Sequence, residues 1–236
     1  MKKLSILIPV YNEDETIFKV LEIINNLILI DNIQKEVIVI NDCSNDNSKS
    51  EIERFLNSNA TDFILVNHTV NKGKGAAIQT GIIKASGDYT IIQDADLELN
   101  PSEINNLIQK VQSNIADVVY GSRFLNETKK GGTFLSNSAN TFLTWLSNFI
   151  FRIHITDMET CYKLVPTNEF KKIKLKEQRF GFEPEITAKL AKNKKLRWTE
   201  VPISYNARTD EEGKKIGWKD GIRAIWCILY YGLKKS

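Results

Sequence analysis

Asp94-Ala95-Asp96 follows the apolar run Tyr89-Thr90-Ile91-Ile92-Gln93. Two carboxylates one residue apart at a strand end repel each other unless a positive group lies between them. Extended backbone alternates its side chains, so positions 94 and 96 share a face and Glu98 prolongs the row. Oxygen ligands at this spacing suit Mg²⁺ or Mn²⁺, which takes one or two carboxylates and fills other positions with phosphate oxygens. The same aspartates could instead cap the helix signalled by Asn100-Pro101-Ser102-Glu103. A second candidate is Asn71-Lys72-Gly73-Lys74-Gly75-Ala76-Ala77, which opens a helix with free backbone N–H groups and two ammoniums, a plausible phosphate-facing turn. Its glycine spacing is not that of a Walker loop, and the glycines equally suit tight helix–sheet packing.

The elements that would position these groups alternate along the first half of the chain. Leu4–Val10 reads as a strand, and a helix over Asp14–Ile28 follows, with Ile17, Val20, Leu21, Ile24 and Leu27 on one face. Val37–Ile40 is a second strand, ending in the turn-rich Asn41-Asp42-Cys43-Ser44-Asn45-Asp46. Helix Lys49–Leu56, strand Phe63–Val66, helix Gly75–Ala85, strand Tyr89–Gln93, helix Pro101–Val111 and strand Asp117–Tyr120 continue the series. This order predicts an α/β domain with a parallel sheet covered on both faces, and the near-continuous Ile/Val runs fit strands buried on both sides. In such a sheet ligands bind beyond the carboxyl ends of the strands. Tyr11-Asn12-Glu13, Asp42 and Asp94/Asp96 all fall there.

After residue 122 the pattern loosens. Phe142, Trp145, Leu146, Phe149, Ile150 and Ile153 repeat at helical spacing, Leu196–Ile203 reads as a late strand, and Ile222, Ile225, Trp226, Leu229, Tyr230 and Leu233 form a second stripe. Each stripe fits a core-facing helix. It also fits an interfacial one, with Trp145, Trp226, Tyr230 and Tyr231 at headgroup depth beside Arg152, Arg223, Lys234 and Lys235.

The 236 residues, 42% hydrophobic and 26% charged, suffice for one domain with a sizeable core. No linker or internal repeat divides 1–236, read here as a front half 1–123 and a back half 124–236. The net charge of +3 is unevenly spread: residues 1–162 carry 14 Lys/Arg against 20 Asp/Glu, and residues 163–236 carry 18 against 9. The acidic front fits a metal site, and the basic back suits an anionic partner such as phosphate or a membrane surface; no nucleic-acid partner is expected. Cys43, Cys161 and Cys227 form neither a disulfide framework nor a zinc pattern, which points to a reducing cytoplasm. No signal peptide and no spanning helix are expected. His68 and His154 stand alone and read as non-catalytic.

Together these segments resemble glycosyltransferase family 2, inverting nucleotide-sugar-dependent enzymes of the GT-A fold. The matching runs are Ile8-Pro9-Val10-Tyr11-Asn12-Glu13, Val39-Ile40-Asn41-Asp42-Cys43-Ser44-Asn45-Asp46, Asn71-Lys72-Gly73-Lys74-Gly75, Asp94-Ala95-Asp96-Leu97-Glu98 and Gly121-Ser122-Arg123. Asp157-Met158-Glu159-Thr160-Cys161-Tyr162-Lys163 and Glu200-Val201-Pro202-Ile203-Ser204-Tyr205 are similar to the polyprenyl-phosphate branch, the dolichyl-phosphate mannose and glucose synthases. The resemblance implies a GT-A-like, mostly parallel sheet in one domain with C-terminal helical additions. It implies a nucleotide-sugar donor held by Pro9, Tyr11, Glu13, Asp42, Lys74, Asp94 and Arg123. Tyr11 would pack on the base, Glu13 would lie near the ribose, and Asp42 would accept a base N–H. Mg²⁺ or Mn²⁺ would sit on Asp96 with Asp94 or Glu98, unless Asp94 bonds ribose or sugar instead.

Two positions depart from that branch. Glu98 stands where glutamine is common, and Gly132 stands where many members carry an arginine four residues before the serine matching Ser136. Acceptor-phosphate recognition then falls to Ser136 with Arg123, Lys129, Lys130 or Arg208, and Lys214-Lys215 near Tyr205 adds charge. Asp157 is the candidate base if the nucleophile is a glycan hydroxyl; a lipid phosphate is already anionic, and Asp157 would then only position. The expected reaction moves hexose from UDP-glucose or GDP-mannose to polyprenyl phosphate, in the cytoplasm or peripherally at the inner face of the cytoplasmic membrane. The rivals are transfer to a cell-surface glycan hydroxyl, a nucleotidyltransferase, or a non-catalytic sugar-nucleotide-binding module. Tyr11-Asn12-Glu13 stands where a nucleotidyltransferase needs a Gly-rich loop with Arg and Lys.

Overall fold

The computed structural model describes residues 1–58, 62–125, 134–207 and 218–234, the side chains of 134–136 and 218–219 excepted. Seven strands form one sheet: β1 (Lys3–Val10), β2 (Gln34–Asn41), β3 (Phe63–Asn67), β4 (Tyr89–Ile92), β5 (Val118–Ser122), β6 (Lys163–Pro166) and β7 (Trp198–Pro202). Their spatial order is β3-β2-β1-β4-β6-β5-β7. The β1–β2, β2–β3, β1–β4 and β5–β7 pairs are parallel, while β6 runs antiparallel to both β4 and β5. The α/β reading therefore holds for a mostly parallel sheet.

Leu4, Ile6, Leu7, Ile8, Val37, Ile38, Val39 and Ile40 are all buried, as strands covered on both faces require. The covering helices of the front half are α1 (Ile17–Asn26), α2 (Ser48–Leu56), α3 (Lys74–Lys84) and α4 (Ile104–Gln112). The apolar face expected of α1 is realised, with Ile17, Val20, Leu21 and Ile24 buried. The back half adds α5 (Phe134–Phe151), α6 (Thr167–Lys172), α7 (Phe182–Ala191) and α8 (Trp218–Leu233). No described helix is long and apolar enough to cross a membrane.

The two C-terminal stripes lie on helices, as their spacing predicts, except that Ile153 falls past the end of α5, and each is split between core and surface. Leu143 and Phe151 of α5 are buried, while Phe142, Trp145 (60% exposed) and Phe149 (74%) face outward in a stack. On α8, Cys227, Ile228 and Tyr231 are buried, and Ile222, Trp226, Leu229, Tyr230 and Leu233 are exposed. One group expected at headgroup depth points elsewhere, since Tyr231 is buried, while Arg223 lies beside the exposed Trp226 ring at 4.1 Å and also bonds the buried Glu177.

One buried carboxylate ties the front of the sheet together. Glu36 of β2 accepts hydrogen bonds from Ser5, from Ser86 Oγ at 2.6 Å and from the Gly87 N–H at 3.0 Å, and pairs with Lys3 at 2.8 Å. Burial opposes its charge, but these donors lower its pKa from 4.5 to about 2. A folded-state value below the unfolded one stabilises the fold above the unfolded pKa, and that contribution is lost as pH falls through the folded value. Between about pH 4.5 and 2 the wild type should lose on the order of 1–2 kcal/mol from this group, solvent screening at the exposed Lys3 end reducing the full linkage value. Glu36→Gln should flatten that part of a melting-temperature profile; parallel acid limbs would show that Glu36 does not carry the effect.

Candidate functional site

The sheet order reverses at β1, whose neighbours are β2 and β4, and a crevice at the carboxyl ends of strands on either side of such a point is a standard ligand position. A cavity of about 420 Å³ lies there, its wall including Pro9, Tyr11, Glu13, Asp42, Lys74, Asp94, Asp96 and Glu98. The sequence placed all eight at a donor or metal site, and the fold brings them to one wall.

Left-handed turns shape the rim. Asn12 (φ 53°) follows Tyr11, and Cys43 (φ 58°) follows Asp42. Asparagine tolerates this conformation, whereas cysteine adopts it less readily. The two loops are stitched together: Asn12 N–H donates to Ser44 Oγ at 3.1 Å, and Asn45 N–H donates to Asn12 Oδ1 at 2.9 Å. Glu13 N–H donates to Ser48 Oγ at 2.7 Å.

Asp42 faces the cavity edge with a carboxylate already engaged from within. It accepts the backbone N–H groups of Lys72 (2.9 and 3.1 Å) and Gly73 (2.7 Å) and contacts His68 Nδ1 at 2.6 Å. His68, which the sequence left without a role, is nearly buried and bridges Asp42 to Thr80 Oγ1 at 2.9 Å. Asp42 and His68 thus hold the Lys72-Gly73 turn in place, a task that adds to any contact with a base.

The 94–98 segment is not the extended row expected from strand alternation. β4 ends at Ile92, and residues 95–99 bend. Asp94 pairs with Lys74 at 2.6 Å, the Asp96 carboxylate accepts the Glu98 N–H at 3.2 Å, and Glu98 accepts the Tyr205 hydroxyl at 3.2 Å. Burial opposes both charges of the Asp94–Lys74 pair, yet each holds the other charged, so the Asp94 pKa is lowered and that of Lys74 raised. Thr16 Oγ1 fastens the segment to the start of α1 by donating to Ala95 O at 2.9 Å.

These oxygens fit Mg²⁺ or Mn²⁺ in one specific way. Among the described residues no cluster of three or more His, Cys, Asp or Glu could hold a metal unaided. One or two carboxylates on the wall of an open cavity match a cation that shares its shell with a phosphate ligand.

Behind the wall lies a second group. Asp157 is fully buried and accepts Arg123 N–H at 3.1 Å, Nε at 2.7 Å and Nη2 at 2.8 Å, and Asn140 Nδ2 at 3.0 Å. Burial works against its charge, but Arg123 holds its pKa below the ordinary carboxylate range. Neither residue is among the described residues lining the cavity. Arg123 touches that wall through Tyr205, its guanidinium 5.0 Å from the ring. Alongside, Lys163 pairs with Glu183, and burial with the nearby Glu183 charge pushes Glu159 up to about 7.

Arg179 and Phe180 also line the cavity and escaped the sequence reading; the signal was Arg179-Phe180-Gly181 directly before α7, which opens with Phe182. Arg208 and Lys214, with Lys129, Lys130, Gly132 and Lys215, lie outside the described residues, as does the side chain of Ser136.

A mostly parallel sheet flanked by helices, with carboxylates and a Lys-Gly turn converging at its switch point, is the GT-A arrangement. A protein-family model described as glycosyl transferase family 2 matches residues 5–172, and the chain belongs to that family, which makes it a glycosyltransferase by descent. It is 29% identical over 231 residues to dolichyl-phosphate beta-glucosyltransferase ALG5D of Trichomonas vaginalis, covering 90% of this chain and 67% of that protein. It is 23% identical over 228 residues to dodecaprenyl-phosphate galacturonate synthase of Rhizobium johnstonii, covering 96% of this chain and 65% of that one. The chain thus spans about two thirds of the length of these curated relatives. The fold also matches Mycobacterium tuberculosis glucosyl-3-phosphoglycerate synthase, solved with Mn²⁺, UDP and phosphoglyceric acid. That match has a TM-score of 0.73 at 17% identity and covers 100% of this chain and 80% of the other.

Proposed function

We propose that this chain transfers a hexosyl group from a nucleotide sugar, UDP-glucose or GDP-mannose, to polyprenyl phosphate, with Mg²⁺ or Mn²⁺ as cofactor. The observation that carries the reading is the convergence of Tyr11, Asp42, Lys74, Asp94, Asp96 and Glu98 on one cavity. Asp96, with Asp94 or Glu98, would hold the cation, which offsets charge building on the leaving diphosphate. The Lys74 ammonium faces the same charge, whereas the N–H groups of Lys72 and Gly73 are taken by Asp42 and those of Gly75 and Ala76 by Gln178 O. The turn thus offers the donor its side chain rather than the free N–H groups expected from sequence; Tyr11 and Glu13 receive the nucleoside. The anomeric C–O bond to the diphosphate breaks as a new C–O bond forms to an acceptor oxygen on the opposite face, with inversion. A lipid phosphate oxygen is anionic before attack and needs no base, which agrees with Asp157 being locked to Arg123. Both curated relatives described above are named for polyprenyl-phosphate acceptors. The acceptor-side residues Ser136, Arg208 and Lys214 belong to this proposal.

The exposed aromatic faces of α5 and α8 support a peripheral contact with the inner face of the cytoplasmic membrane, where amphipathic rings sit at headgroup depth. The wild type should sediment with anionic vesicles at low salt and release at high salt. If it stays in the supernatant at low salt, the acceptor is better sought among soluble glycans.

Donor binding is tested by thermal shift with UDP or GDP. At a hundredfold excess over its dissociation constant, a nucleotide should add about 2.7 kcal/mol of stability, and only with Mg²⁺ or Mn²⁺ present. Equal stabilisation in EDTA would remove the cation from donor binding.

A further inference from the structure

A buried carboxylate on the back half of the chain reaches the donor cavity through backbone. Glu177 is buried and accepts Arg223 Nε at 2.9 Å, Arg223 Nη2 at 2.8 Å and the Tyr231 hydroxyl at 3.0 Å, all from α8. Its own N–H donates to Glu185 of α7 at 2.8 Å, as that of Lys176 does at 2.9 Å. The segment is therefore held from α7 through its backbone and from α8 through one side chain.

The next residues meet the Lys-Gly turn directly. Gly75 N–H donates to Gln178 O at 2.8 Å, and Ala76 N–H to the same oxygen at 3.3 Å. A Cβ on Gly73 would overlap Gln178 O, one on Gly75 would overlap Glu177 O, and Gly73 has φ +92°. Glycine at both positions is thus explained by backbone packed on backbone. Arg179 and Phe180 then form cavity wall, and the Phe182 ring lies 5.6 Å from Lys74 Nζ.

We propose that Glu177, clasped by Arg223 and Tyr231, is a positioning residue for the donor site: it fixes the 177–180 wall against which the Gly73-Lys74-Gly75 turn is set. Only the Glu177 end of the pair is buried, the Arg223 side chain being 50% exposed. An ion pair reaching the surface adds little net stability, and what the bidentate fork on a buried carboxylate supplies is one fixed arrangement. Glu177 does this at a backbone contact where a small shift moves both Lys74 and Arg179. The inference rests on the nucleotide-diphosphate reading of the cavity given above.

The test is calorimetric titration of UDP and of GDP, each with Mn²⁺, into the full chain at a temperature where every variant is folded. Arg223→Met should weaken binding of whichever nucleotide the wild type takes by roughly tenfold. Tyr231→Phe, which removes one oxygen, should weaken it less. Arg223→Lys should restore part of the loss, since it keeps the charge without the planar fork. A lower melting temperature with unchanged nucleotide affinity in both Arg223→Met and Tyr231→Phe would make the clasp structural only and overturn the inference. If Arg223→Met does not fold, Tyr231→Phe decides by the same readout. A wild type that binds neither nucleotide would overturn the donor reading and this inference together, whereas tight wild-type binding with unaffected variants overturns the inference alone.

Discussion

Asp96→Asn should lower kcat by roughly 10²–10³-fold, the usual loss when one preorganised electrostatic stabiliser of developing charge is removed. Asparagine keeps the shape of the side chain and an oxygen to accept the Glu98 N–H, now at 3.2 Å, so stability should change by no more than about 0.5 kcal/mol. The diphosphate is anionic from the start and gains further charge as the sugar leaves. Because the same cation also holds the donor before reaction, KM for the donor should rise as well, and kcat/KM should fall further than kcat. Asp94→Asn should behave differently, because it also strands the Lys74 ammonium paired with it at 2.6 Å; activity and melting temperature should fall together. An Asp96→Asn enzyme with wild-type kcat would show that Asp96 does not act on the leaving group.

The largest stability effect should come from Arg123→Met. This change leaves Asp157, whose side chain has no exposure, without the guanidinium that bonds both its oxygens. Removing one partner of a buried pair typically costs about 3–5 kcal/mol. At about 2–4 °C per kcal/mol for a chain of this size, the melting temperature should drop by roughly 10 °C. Asp157→Asn added to Arg123→Met should recover part of that loss, since the stranded charge is then gone. If the double variant is no more stable than Arg123→Met alone, the pairing is not what Arg123 contributes.

Much of this was legible in the residues themselves. Buried strands of Ile and Val, separated by amphipathic helices, gave away β1 to β5 and α1 to α4, with ends shifted by one to three residues. The Asp42, Lys74, Asp94 and Asp96 positions were legible because polar residues directly after apolar strands must gather at one edge of a parallel sheet. β6 was hidden because it is four residues long and opens with Lys163, a charge whose burial its partners Glu183 and Thr160 O explain. α7 was hidden for the opposite reason: Phe182, Glu183, Pro184, Glu185, Ile186, Thr187 and Ala188 are all buried, so no polar face marks a helical period. The second task of Asp42 was hidden, because sequence shows a carboxylate but not the N–H groups of Lys72 and Gly73 that fold back onto it. Strand alternation likewise misled beyond Ile92, where the chain bends and gives Asp94 and Glu98 separate partners, Lys74 and Tyr205.

The most direct test of the account is transfer itself. The full chain is incubated with radiolabelled UDP-glucose or GDP-mannose and Mn²⁺ or Mg²⁺, with polyprenyl phosphate in detergent, and label is followed into the organic phase. The account predicts an organic-soluble glycosyl phospholipid that forms with one of the two donors, requires the cation and is lost in Asp96→Asn. Label that stays in the aqueous phase with lipid phosphate present, but enters a glycan when a glycan hydroxyl is offered instead, would contradict the assignment of a lipid-phosphate acceptor.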